Sequence, residues 1–319
     1  MKVGLVSNLK QSKNITGKVV AGLTITSLFL FSVPVNAWAQ EKSNAAEWSF
    51  VRLAEKVPIG SETIKEAEYE ENQEVFNVYR PSKGRLYKHS KLYQDTETTD
   101  RKVWDILDQQ IAGAKFANKY LGAFATYSVP NEPILGFVQK IKGVYSVRPT
   151  WGLALNVRGA DFSNSKWVRD VVIVLIHEYS HILTLNEKQV EYLPPGKTCS
   201  RIHKGIGYII SSKRCSKDDS YLNHFIKRFW SDDQIQTVAR FATFGTIESF
   251  YQSHQSDFVT EYAVTSPLED IAESFTDFIL RSKPTSSGLV REQKILFFYE
   301  YPELVTLRSE MRERIQKYF

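Results

Sequence analysis

The stretch that most constrains this chain is Val171 to His181 (VVIVLIHEYSH), in which six apolar residues run straight into two histidines four positions apart. A run that is apolar around its whole circumference belongs in an interior. Its β-branched residues carry local strand propensity, so period alone does not choose between strand and helix. The histidines do. On a strand His177 and His181 share a face but stand about 13 Å apart. On a helix they lie one turn apart, close enough to hold one metal ion, with Glu178 beside the first. The spacing therefore predicts a buried helix from about 165 to 185, started by N-cap chemistry in Asp161 to Asn164.

The N-terminus reads as a leader and not as part of the fold. Lys2, Lys10, Lys13 and Lys18 precede a short apolar core, Val19 to Val33, and Ala37-Trp38-Ala39 fits a small-x-small cleavage site. Residues 1–39 are expected to be a secretory signal peptide, too short and wrongly flanked for a membrane span. The remaining chain, about 280 residues, is enough for one large domain. Those four lysines account for most of the net charge of +5. What remains gives no electrostatic case for nucleic acid or an anionic membrane. A secreted or periplasmic protein with no stable membrane insertion is the expectation. In such a compartment Cys199 and Cys215, the two cysteines of the chain, are expected to pair and pin a loop of about 16 residues.

Residues 40–99 read as a polar N-terminal arm, with Glu66, Glu68, Glu70, Glu71 and Glu74 clustered. Residues 100–319 read as one folded domain of α+β class. Val103, Leu107, Ile111 and Ala114 predict a helix stopped by Gly122. Strands are expected at Phe124 to Val129, Gly143 to Val147 and Trp151 to Val157. Further helices are expected at Asp219 to Trp230, Asp232 to Phe244, Pro267 to Leu280 and from Pro302 onward.

A catalytic zinc ion normally takes three protein ligands and keeps one position open. His177 and His181 supply two. A histidine six residues past the second is not available, because that position is Glu187, and Thr184 stands where a glycine turn is needed. A glutamate from a separate helix is the other arrangement. Its best source is Glu269 to Asp277 (EDIAESFTD), in which Glu273 and Asp277 are four apart and flanked by Ala272, Phe275 and Phe278, with Glu269 as the main competitor.

On these motifs the chain resembles the zincin metallopeptidases of the gluzincin type. H-E-x-x-H matches His177, Glu178 and His181, and E-x-x-x-D matches Glu273 and Asp277. The usual Asn before the glutamate is Ala272 here, and Ala-Glu-x-Phe after a long spacer is similar to the catalytic domain family of anthrax lethal factor. The resemblance spans about Trp151 to Leu280. It implies a zincin-like domain with a small sheet packed on the active-site helix and a mainly helical C-terminal part. It also implies one Zn2+ on His177, His181 and Glu273, with Asp277 orienting His177 through its other ring nitrogen. Glu178 is then the general base, and Tyr262 the chosen donor to the oxyanion, with His254 and Tyr251 as rivals. The expected activity is zinc-dependent hydrolysis of peptide or protein substrates outside the cytoplasm. A non-catalytic zinc-binding scaffold of the same fold and a cell-wall amidase stay open as alternatives.

Overall fold

The computed structural model describes residues 75–88, 97–128, 136–141, 150–193, 209–211, 214–238, 244–285 and 288–319. The expected signal peptide, the expected strand at Gly143 to Val147, and Cys199 all lie outside them. The fold is mixed α+β.

Strands β1 (Val75–Ser82), β2 (Arg85–Lys88), β3 (Leu121–Ser128), β4 (Gly136–Ile141) and β5 (Thr150–Asn156) form a sheet of order β2-β1-β3-β5-β4. β3 and β5 run parallel, and every other pairing is antiparallel. β3 is buried on nearly every residue, as a strand covered on both faces must be. Ala123 and Ala125 share one face of it, where small side chains let a layer approach closely. β1 and β2 correct one expectation: part of the supposed polar arm is structural. Val75 to Tyr79 pairs along Phe124 to Ser128, and Lys83-Gly84, both at positive φ, make the tight turn to β2. The polar Asn77 concealed this strand. Its side chain is buried because it donates to Asp100 (2.9 Å), which also accepts from Tyr79 (2.5 Å) and Thr126 (2.8 Å). That carboxylate ties helix α1 (Glu97–Asp105) to the sheet.

The helix expected from Asp100 is not uniform. After α1 the chain widens into a π-helix, Ile106–Ala112, and Gly113 at φ +72 breaks it before α2 (Ala114–Tyr120). Helix α3 (Ser165–Leu185) follows β5. Asn164 caps it by accepting from the backbone of Lys166 and Trp167. A three-stranded sheet comes next, of order β6-β8-β7, built from β6 (Val190–Tyr192), β7 (Ile209–Ser211) and β8 (Arg214–Ser216). Cys215 is buried on β8.

The C-terminal part is helical: α4 (Tyr221–Phe229), α5 (Asp232–Val238), α6 (Phe244–Ser253), a 3-10 turn Tyr262–Thr265, α7 (Pro267–Leu280), α8 (Val290–Phe297) and α9 (Pro302–Ile315). α7 begins with Ser266 as N-cap and Pro267 in the first turn. Phe275 and Phe278 are fully buried, each worth about 1.5–3 kcal/mol of apolar burial. The other end of α7 is held by α9. Arg308 donates to Phe278 O, and Arg312 to Ile279 O and Leu280 O, which places cations at a helix C-terminus. α7 is thus fixed in position and rotation against α3.

Candidate metal centre

α3 and α7 face each other where both are buried, and three ligand atoms converge there. His177 Nε2 lies 2.9 Å from His181 Nε2 and 3.1 Å from Glu269 Oε2; His181 Nε2 lies 3.3 Å from the same oxygen. All three side chains are at most 5% exposed. The imidazoles stand nearly edge to face, 78° apart, as two side chains one helical turn apart can. Ser180 and Thr184 do not compete for the centre, because they donate to the backbone carbonyls of His177 and Ser180. The His177, His181 and Glu269 group can hold a metal ion.

The carboxylate in that group corrects the sequence expectation. Glu269 meets the Nε2 atoms of both histidines, and Glu273 does not. Glu273 Oε1 instead sits 2.6 Å from His177 Nδ1, on the opposite side of the ring. Asp277, expected in that role, lies a further turn along α7 and pairs with Arg281 at 2.9 Å. The motif is therefore read one turn too late: Glu269 takes the place expected for Glu273, and Glu273 the place expected for Asp277. A glutamate orients an imidazole as well as an aspartate does, so Glu273, four residues past Glu269, serves where an aspartate was expected. Glu269 also belongs to the first turn of α7, where the helix dipole favours an anion. Glu187 lies elsewhere, 3.8 Å from Lys140.

The charges are tightly coupled. Burial pushes the His177 imidazolium down, but the adjoining carboxylates of Glu269 and Glu273 outweigh it and raise its pKa to about 10. His181 is lowered by burial, which Glu269 only partly offsets. Burial would raise Glu269, yet the two histidines hold it below its ordinary value. Without a metal the centre thus keeps a proton on His177.

The chain matches no family model, no curated protein and no solved structure.

Glu178, next to His177 on α3, is buried against strand β4 at the sheet edge. A Cβ on Gly136 would come within 2.9 Å of Glu178 Cγ and of Val174 Cγ1. Glycine is what lets the strand come this close to α3. Tyr262, in the 3-10 turn before α7, has its ring 6.0 Å from that of His177. Of its rivals, His254 stacks on Phe250 and shares Nδ1 with the Phe250 carbonyl at the end of α6. Tyr251 packs on the core from α6. Sequence reasoning missed Gly136, whose isolated glycine in a short apolar run was a usable signal.

Proposed function

We propose that the chain is a zinc-dependent peptide-bond hydrolase of zincin type that works outside the cytoplasm. The observation that carries this is the buried convergence of His177 Nε2, His181 Nε2 and Glu269 Oε2 at mutual distances of 2.9–3.3 Å. A tetrahedral zinc ion with bonds of about 2.0–2.2 Å needs ligand atoms about 3.3–3.5 Å apart, so the set fits with small adjustment. Two imidazoles and a carboxylate also suit zinc chemically. Three ligands, counted among the described residues, is the number that a catalytic centre uses.

When bound, zinc supplies Lewis acidity that activates water and polarises a carbonyl. Glu178 would accept the proton of the attacking water on its carboxylate and hand it to the leaving nitrogen. Glu273 holds His177 by Nδ1 and so keeps Nε2 turned to the centre. Tyr262 is the donor proposed for the oxyanion. A purely structural zinc site has no use for a base beside its first ligand, which favours the enzyme over the scaffold. Export rests on the leader expected in residues 1–39. No described helix is long and apolar enough to cross a membrane.

Glu178→Gln tests the reading. The variant should keep one equivalent of zinc and its fold while peptide-library cleavage falls at least about 10²- to 10⁴-fold, because only the proton-transfer group is removed. Near wild-type cleavage by zinc-replete Glu178→Gln would sink the mechanism. Cleavage of cell-wall amides but of no peptide would replace the peptidase with the amidase.

A further inference from the structure

Thr260 lies just before the 3-10 turn that carries Tyr262, and its hydroxyl has two partners. It accepts from the backbone N–H of Ala263 at 3.1 Å and is 2.8 Å from Glu273 Oε2. A hydroxyl has one hydrogen, and a backbone N–H can only donate. Since Ala263 takes an acceptor site on Oγ1, the hydroxyl hydrogen is left to point at the carboxylate. Glu273 is thereby held at both oxygens: Oε2 by Thr260 and Oε1 by His177 Nδ1 at 2.6 Å. With Nδ1 against the Glu273 carboxylate, the neutral imidazole keeps its hydrogen there and presents a lone pair at Nε2, the atom that faces His181 and Glu269.

We infer that Thr260 is a positioning residue for the metal centre, acting through Glu273 on His177 and joining the Tyr262 turn to the same chain of contacts. The inference rests on the metal reading proposed above. If Thr260 only capped the 3-10 turn, its loss would affect that turn whatever residue stood at 273. If it acts through Glu273, its effect on metal affinity must vanish once Glu273 is gone.

The test is a double-mutant cycle on the full-length protein, with zinc affinity read by chelator competition and folding checked by thermal melting. Glu273→Ala should weaken zinc about 10- to 100-fold, and Thr260→Val by a smaller factor, about 3- to 10-fold. Thr260→Ser, which keeps both hydrogen bonds, should stay within about twofold of wild type. The double variant Thr260→Val/Glu273→Ala should bind zinc no more weakly than Glu273→Ala alone. If Thr260→Val lowers the melting temperature too far to assay, Thr260→Ala takes its place in the cycle. Equal losses from Thr260→Val in both backgrounds would overturn the coupling, as would wild-type affinity in Thr260→Val or failure of Thr260→Ser to rescue. A wild-type protein that binds no zinc would instead remove the metal reading itself, and this inference with it.

Discussion

Glu269 and Asp270 are consecutive, lie in the first turn of the same helix, and are both almost fully buried. Their surroundings differ in kind. Asp270 accepts from Trp230 Nε1 at 2.8 Å and pairs with the buried Lys294 at 2.7 Å, whose ammonium also lies 3.9 Å over the Phe258 ring. Glu269 faces two imidazole nitrogens, which donate or accept according to protonation. The Asp270 carboxylate has a permanent cation and fixed donors, so it is a clamp between α7 and α8. The Glu269 carboxylate has partners that carry lone pairs once deprotonated, so its set can take a cation from outside. Burial alone does not mark a functional carboxylate. The chemistry of its partners does.

The largest effect that would test this contrast is on the clamp. Lys294→Met leaves Asp270 buried without its cation and should lower unfolding free energy by about 3–5 kcal/mol, read by denaturant titration. A loss below about 1 kcal/mol, the scale of an exposed pair, would show that the clamp is not structural. Glu269→Ala should do the reverse. Zinc affinity should fall by more than the about 10- to 100-fold of an outer contact, while the stability of the metal-free protein changes less than in Lys294→Met. Stoichiometric zinc in Glu269→Ala would return the third-ligand role to Glu273.

A smaller effect sharpens the electrostatics. A metal at Nε2 requires neutral His177, whose metal-free pKa is raised to about 10 by its two carboxylates. Near neutral pH each bound ion should therefore release about one proton, and affinity should climb about tenfold per pH unit until it levels off near that value. His181 and Glu269 are shifted down and should contribute little further release above pH 7. Calorimetry in buffers of different ionisation enthalpy measures this directly, and zero release at pH 7 would contradict a protonated His177. The smallest effect belongs to Asp277→Ala. It removes a partly exposed pair with Arg281, worth about 0–1 kcal/mol, and should leave zinc affinity unchanged. A tenfold loss of zinc there would reinstate Asp277 beside the histidine.

Much of this molecule was legible in the chain. The apolar run ending in a histidine pair is α3, from Ser165 to Leu185 as read, because only a helix lets those histidines meet. Ser266 and Pro267 mark the start of α7, and Leu280 its end. The sheet was harder. β4 has a glycine at the contact with Glu178, and β1 hides a buried Asn77 that only the distant Asp100 satisfies. Neither strand gives the clean alternation that a local reading needs.

What the sequence by itself determined is the set of groups: two histidines one turn apart, a neighbouring glutamate, and acids repeated every fourth residue along a second helix. Glu269, Glu273 and Asp277 all satisfy that repeat, since residues four apart share a helical face. Local spacing is therefore degenerate by one turn. Only the packing of α7 against α3, fixed by the Ser266 cap, the Asp270–Lys294 clamp and the arginines of α9, decided that Glu269 meets the histidines. That choice is made by contacts between residues far apart in the chain, and no window of sequence contains them.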